Sequence, residues 1–175
     1  KGQRDKMFLA TKFCVADGHL PNDTPVPKII EHVDASLKRL QTDHVDLIHI
    51  HSCDSVERLM APNIHEAFDR LKEQGKVRFL GFSAHSVEAA TALMDGHAFD
   101  TILFPFNYAT WHAGSFGPQV LAKAKEKGMG ILCLKAMAKG PWPAGAEKRY
   151  SKCWYEPLDT PETAAMGLRF TLSHP

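Results

Sequence analysis

Residues 36–52 read SLKRLQTDHVDLIHIHS, the end of one secondary-structure element followed by the whole of the next. Leu37 and Leu40 are the last members of an apolar stripe that recurs at helical spacing after Pro27, a residue type favoured at the first position of a helix. Residues 45–52 follow as a largely apolar run without strict alternation, which is typical of a parallel strand covered on both faces. The stretch therefore predicts an amphipathic helix that leads into a buried strand.

The same alternation of apolar, β-rich runs and amphipathic helices continues in both directions from this stretch. The predicted strands begin about 30 residues apart, and repeated β-loop-α units of that length form a parallel sheet with right-handed crossovers. These predicted strands cover residues 7–13, 45–52, 77–83, 101–107 and 130–137.

Capping residues mark the ends of the predicted helices. Asn63, with Glu66 three residues later, has the sequence pattern of a capping box. Ser86 and Thr160 have side chains that cap a helix start, and Gly128 follows a predicted helix end. Together these signals predict helices that open at Pro27, Asn63, Ser86, Pro118 and Thr160.

Two architectures accommodate repeated β-α units, an open doubly wound sheet and a closed (β/α)8 barrel. None of the predicted strands is followed by the glycine-rich phosphate loop of dinucleotide-binding sheets, which favours the barrel. A complete barrel typically needs about 250 residues, whereas this chain has 175. The sequence therefore predicts an α/β fold in which residues 1–175 form a single, incomplete barrel domain.

Composition and charge exclude several classes of protein. Hydrophobic residues make up 44% of the chain and charged residues 23%, as in globular proteins rather than disordered or coiled-coil ones. A net charge of +1 provides no basic surface for nucleic acid, and no apolar run reaches the roughly 18 residues of a membrane helix. The four cysteines show no CxxC spacing, which is typical of free thiols in a reducing compartment and predicts a cytoplasmic protein.

The active site of a barrel of this kind forms at the carboxyl ends of its strands. Lys12 ends the first predicted strand, and two interpretations are open: a lysine that extends its ammonium into water, or one held among apolar walls that acts on the pKa of a neighbour. His49 and His51 share one face of the second strand because strand side chains alternate. His49 is predicted to be packed and hydrogen-bonded, whereas His51 lies at the mouth, where an imidazole acts as a general acid or orients a substrate.

A metal centre is a competing interpretation of the histidines. The pair His49 and His51 would supply two ligands, and His85 is the one credible further ligand at a strand end. Under this interpretation the chain would belong to a metal-dependent barrel hydrolase.

Polar side chains also end the other three predicted strands. Ser83 is left available for a ligand amide because Ser86 caps the helix that follows. Asn107 ends the fourth strand, where its partner is either the loop backbone or a bound substrate. Lys135, at the mouth of the fifth strand, is costly to bury and is expected to meet water or an anion. Residues 139–159 are expected to form either a lid over the site or a long loop with its own packed aromatic residues.

Three segments, in this order and spacing, resemble the aldo-keto reductases: FLATKF at residues 8–13, SLKRLQTDHVDLIHIHS at 36–52 and GKVRFLGFSAHS at 75–86. A closing PETAAMGLRFTLSHP at residues 161–175 is similar to the family helix that precedes the eighth strand. The resemblance implies a (β/α)8 barrel of which this chain carries strands three to seven, with the first two strands and the eighth absent.

The resemblance also implies a chemistry, the reduction of small-molecule aldehydes or ketones by NADPH without a metal. The family uses an Asp, Tyr, Lys and His tetrad, in which Lys12 matches the lysine and His51 the histidine. The Asp and Tyr would lie upstream of Lys1, so the isolated chain is expected to be inactive. Ser83 matches a serine that contacts the nicotinamide carboxamide, and Lys135 is expected to contact the cofactor as well.

Three residues depart from the family pattern. Ala84 stands where many members have asparagine, Leu103 where glutamine is common, and Lys135 where many place a tyrosine that stacks on nicotinamide. These replacements indicate a divergent branch of oxidoreductases with a remodelled nicotinamide contact. They also keep open a second function, that of a non-catalytic relative that binds the nicotinamide cofactor and a protein partner.

Overall fold

Five parallel strands, hydrogen-bonded in sequence order, form the main sheet of the protein. The computed structural model describes residues 2–14, 23–51, 56–113 and 116–173. Each neighbouring pair of strands in this sheet is parallel, as the βαβ pattern requires. The strands are β1 (Ala10–Cys14), β2 (Val45–His51), β3 (Val77–Ser83), β4 (Thr101–Phe104) and β5 (Gly130–Cys133).

Helices lie between the strands, and three of the five predicted helix starts, at Ser86, Pro118 and Thr160, are confirmed. The described helices are α1 (Val26–Leu40), α2 (Val56–Leu59), α3 (Pro62–Glu73), α4 (Val87–Gly96), α5 (Tyr108–Ala113), α6 (Pro118–Glu126) and α7 (Pro161–Leu172). Ser86 caps α4 by accepting a hydrogen bond from the Ala89 backbone N–H, and Thr160 with Thr163 forms a capping box at the start of α7. In the described part of the chain, none of the helices combines the length and apolar character needed to cross a membrane.

The capping box predicted at Asn63 is wrong. Helix α3 begins at Pro62, so its N-cap lies two residues before Asn63, at Ala61, whose methyl side chain cannot accept a hydrogen bond. Proline suits the first helical position because its φ angle is already helical and its missing N–H would be unpaired there in any case. Asn63 instead donates from Nδ2 to the Thr24 carbonyl oxygen at 2.8 Å, which ties α3 to the chain just before α1.

Two predicted strands continue too far at their carboxyl ends. Strand β4 ends at Phe104 rather than at Asn107, because Pro105 follows and has no N–H with which to extend the ladder. Strand β5 ends at Cys133, after which the chain turns and Lys135 adopts a left-handed φ of 56°. Asn107 and Lys135 therefore lie in loops beyond the strands rather than at strand ends.

The two faces of the main sheet carry different side chains. One face packs against the helices in a continuous apolar core that includes Ile50, Phe82 and Phe104. The intervening residues of the same strands, among them His49 and Thr101, point to the opposite face because strand side chains alternate. We call this second face the inner face, and it carries Lys12, His49, His51 and Ser83.

The segment predicted as a lid or loop, residues 139–159, contributes to a second, two-stranded sheet. Strand β6 (Ala138–Pro141) pairs antiparallel with β7 (Tyr155–Pro157). Between them the Trp142 indole N–H donates to the Cys153 carbonyl oxygen at 2.9 Å. Trp154, just before β7, is 85% exposed. The segment is therefore folded locally, with one aromatic side chain held by a hydrogen bond and another left on the surface.

Candidate active site

Lys12 and His51 belong to the inner face of adjacent strands. In the register of β1 and β2, Lys12 is level with His49, and Cys14 is level with His51. Register partners of parallel strands share a face, and so do residues two apart on one strand. The prediction that Lys12 ends its strand is wrong by two residues, because Cys14 still pairs with β2. The Lys12 backbone is therefore level with a position two residues before His51 on the same face of the sheet.

His51 and Ser83 are the last residues of β2 and β3. His49 is level with Gly81, so the next same-face residues along each strand, His51 and Ser83, meet at the carboxyl edge of the inner face. Ser83 is only 1% exposed and is level with Leu103 of β4. The sheet thus brings two predicted site residues to one edge, with Lys12 on the same face.

His49 is hydrogen-bonded across a neighbouring strand. Its Nε2 lies 3.1 Å from Oγ1 of Thr101, although β3 separates the two strands that carry these residues. Gly81 of β3 makes this contact possible: a β-carbon there would lie 2.6 Å from His49 Cδ2 and 2.2 Å from Thr101 Oγ1. The imidazole therefore crosses β3 at a position where only glycine leaves room.

Burial and a neighbouring charge keep His49 uncharged. The side chain is 2% exposed. Desolvation, with a smaller contribution from the positive charge of Lys12, lowers the pKa of His49 from 6.5 to about 4. At neutral pH the inner face thus presents a neutral imidazole at this level, beside the Lys12 ammonium.

Asn107 and Lys135 line one cavity beyond the ends of β4 and β5. The cavity has a volume of about 630 Å³, and its walls include Tyr108 of α5 and Trp154 near β7. Asn107 is fully buried; its Oδ1 accepts a hydrogen bond from the Thr110 backbone N–H at 3.0 Å. Its Nδ2 has no hydrogen-bond partner among the described residues. The amide therefore satisfies the loop backbone with one atom and offers a buried donor with the other.

Sequence patterns alone did not single out Gly81 or Thr101. The available signal was Gly81 itself, since a glycine inside an apolar strand often marks a close approach of another group. The partner on β4 depends on strand register, which the sequence pattern leaves open. Strands β6 and β7 were not predicted, because they fall in a segment with little periodicity, whereas a lid over the site was one of the two expectations for residues 139–159.

The histidines of the metal hypothesis are not gathered into one site. Within residues 2–14, 23–51, 56–113 and 116–173, no three His, Cys, Asp or Glu side chains are grouped so as to hold a metal ion. His49 uses Nε2 on Thr101, and His85 is exposed just after β3.

Comparisons with known proteins agree with this arrangement of strands. YrpG of Bacillus subtilis, an uncharacterized oxidoreductase, is 31% identical over 150 residues, which cover 79% of this chain and 44% of YrpG. The holo form of aldo-keto reductase AKR11C1 from Bacillus halodurans superposes with a TM-score of 0.70 at 21% identity, over 99% of this chain and 61% of that one. An aldo/keto reductase from Klebsiella pneumoniae, solved in complex with NADP and acetate, superposes with a TM-score of 0.55 at 22% identity, over 77% of this chain and 44% of that one.

These likenesses confirm the predicted fold, part of a (β/α)8 barrel. The chain spans less than half the length of the curated relatives it matches. The model of the aldo/keto reductase family matches residues 1–157, which is most of the chain. The chain therefore belongs to the aldo/keto reductase family of oxidoreductases.

Proposed function

We propose that the protein carrying this chain reduces aldehydes or ketones with NADPH, and that Lys12 and His51 are its catalytic residues. The observation that carries the proposal is the register of β1 and β2, in which both residues belong to the inner face of neighbouring strands. An ammonium and an imidazole from adjacent strands are then available to one carbonyl oxygen. Membership of an oxidoreductase family supports the reaction class.

The chemistry assigns a different task to each side chain. When bound, the nicotinamide of NADPH supplies a hydride to the carbonyl carbon. The carbonyl oxygen then gains negative charge and needs a proton. The Lys12 ammonium stabilises that charge and increases the acidity of the proton donor, which in the family tetrad is a tyrosine. The His51 imidazole donates a hydrogen bond to the same oxygen and fixes the orientation of the carbonyl group.

The cavity beyond β4 and β5 has side chains that suit a nicotinamide cofactor. Lys135 supplies positive charge for phosphate groups, and the unpartnered Nδ2 of Asn107 supplies a buried donor for a substrate oxygen. A donor buried without a partner costs about 1–3 kcal/mol, so a ligand that accepts its hydrogen bond recovers that cost. We assign Lys135 and Ser83 to cofactor contacts and Asn107 to a substrate contact. Ser83 lies at the adjoining strand end.

The proposal is tested by measuring NADPH oxidation with a panel of aldehydes and ketones. His51→Ala and Lys12→Met are each expected to lower kcat/KM by at least about 100-fold, because each removes a group that acts on the reacting oxygen. Lys28→Met is the control; Lys28 is exposed on α1 and pairs with Glu31. Full activity in the His51→Ala and Lys12→Met variants would refute the roles assigned here.

Cofactor binding is tested separately from turnover. Trp154 lines the cavity and is exposed, so NADPH binding is expected to quench tryptophan fluorescence. Lys135→Gln should weaken NADPH binding by roughly tenfold, equivalent to about 1.4 kcal/mol. Lys125→Gln, a change at an exposed position of α6, provides the charge-matched control. Equal affinities in the two variants would remove Lys135 from the cofactor site.

The cell compartment proposed for this protein is the cytoplasm. Cys133 and Cys153 are free thiols, which fits a reducing environment. Fluorescent tagging of the full-length protein, with its natural ends retained, checks this location.

A further inference from the structure

An imidazole bridge crosses three strands beneath the proposed catalytic residues. We use this name for His49, Gly81 and Thr101, which are level with one another on β2, β3 and β4. Each member lies one same-face step, about 7 Å, below a residue at the carboxyl edge of its strand. The residues above His49 and Gly81 are His51 and Ser83.

The bridge joins strands that are not neighbours. Backbone hydrogen bonds hold β2 to β3 and β3 to β4, but they do not couple β2 directly to β4. The His49–Thr101 hydrogen bond at 3.1 Å adds that coupling on the inner face. Because His49 is 2% exposed, bulk water does not compete for this bond. The part of the sheet just below His51 is therefore held by a side-chain hydrogen bond as well as by the backbone hydrogen bonds between the strands.

Lys12 brings a positive charge to the groups that face His49. Lys12 of β1 is a cation and is level with His49. Gly81 of β3 and Thr101 of β4 are also level with His49 and carry no charge. On β2 itself, the nearest titratable side chain on this face is that of His51. A second cation beside Lys12 would oppose the Lys12 ammonium, whereas an apolar residue would leave Thr101 without its buried partner. A neutral imidazole avoids both effects while spanning the distance to β4.

We propose that His49 is a positioning residue, which through its bridge to Thr101 holds the strand ends of His51 and Ser83 in place. This role rests on the proposed carbonyl reduction, because it is defined by the geometry that the reaction needs. A displacement of about 1 Å in a reacting group can cost up to roughly 100-fold in rate. Loss of the bridge should therefore appear in kcat rather than in substrate binding.

The test uses Thr101→Val, which keeps the shape of the side chain and removes its hydroxyl, with Thr101→Ser as the matched variant that restores the hydroxyl. In the full-length protein, Thr101→Val should lower kcat roughly tenfold and change KM by less than about threefold. Thr101→Ser should recover most of the lost rate. Nitrogen NMR of the His49 ring should report a neutral imidazole between about pH 5 and 8 in the wild type, and a changed Nε2 resonance in Thr101→Val.

The outcomes separate this role from the proposed function. No turnover by the wild type would refute the carbonyl reductase, and the positioning role with it. Turnover that is equal in the wild type and Thr101→Val, while the NMR signal shows the bridge to be lost, would refute the positioning role alone. If Thr101→Val does not fold, His49→Gln against His49→Leu makes the same comparison, since only the amide can still reach a hydroxyl. Equal kcat in those two variants would also overturn the role.

Discussion

Replacing Gly81 by alanine should destabilise the protein strongly, although it adds a single methyl group. The added β-carbon would lie 2.2 Å from Thr101 Oγ1 and 2.6 Å from His49 Cδ2, both well inside contact distance. Overpacking of this kind costs about 1–3 kcal/mol. Breaking the hydrogen bond of the buried His49 imidazole to Thr101 adds about 1–3 kcal/mol. We therefore expect Gly81→Ala to lower the free energy of unfolding by about 3 kcal/mol.

The assay is urea unfolding followed by circular dichroism, with Gly140→Ala as the control. A β-carbon at Gly140 meets nothing within 4 Å, so this variant should be neutral or slightly stabilised. The double variant Gly81→Ala with Thr101→Ala should recover part of the loss, because it removes the hydroxyl that the new methyl group meets. If Gly81→Ala unfolds within about 0.5 kcal/mol of the wild type, the imidazole does not cross β3 as described.

Three further predictions concern stability. The folded pKa of His49 is depressed to about 4, so the stability contributed by its neutral form is complete above about pH 6.5 and falls as the pH drops towards 4. His49→Gln should remove about 3 kcal/mol of this acid sensitivity, and equal pH profiles of unfolding would contradict it. The Leu9 N–H, together with the Arg4 guanidinium, lowers the pKa of buried Asp46, so the stability contributed by this carboxylate is lost only as the pH falls through its folded pKa. Asp46→Asn should be less stable than the wild type at neutral pH and should lose less stability below about pH 4. An unchanged loss of stability at acid pH in urea titrations of the variant would count against this. Ser86→Ala should lower the free energy of unfolding by about 1 kcal/mol because it removes the cap of α4, whereas Ser86→Thr should keep most of that stability. Equal thermal midpoints for the two variants would contradict the cap.

The ends of a strand were predictable where the apolar run and the backbone pairing with the neighbouring strand stop at the same residue. Strand β3 has the predicted bounds of residues 77–83. Strands β4 and β5 are shorter than predicted, because apolar residues continue past the last paired position, Phe104 with Cys133. Composition reports burial, and burial continues into the loops that carry Asn107 and Lys135. The end of a strand depends instead on where its partner stops.

The strand-end positions of His51 and Ser83 were predictable, but the contacts of the candidate residues were not. The rule that barrel sites form at strand ends singled out His51 and Ser83, which are the last residues of their strands. The pairing of Lys12 with His49 depends on register, and the contact with Thr101 depends on a residue two strands away. Neither relation leaves a pattern in a single stretch of sequence, so both required the folded sheet.

Transfer of the hydride itself tests the central claim most directly. The full-length protein is incubated with NADPH carrying deuterium at the transferable position of the nicotinamide, together with an aldehyde that it reduces, and the alcohol is analysed by mass spectrometry. We predict one deuterium on the former carbonyl carbon, with formation of the labelled alcohol at least about 100-fold slower in His51→Ala. Alcohol without the label, or labelled alcohol at the same rate in His51→Ala, would contradict a reductase site built on Lys12 and His51.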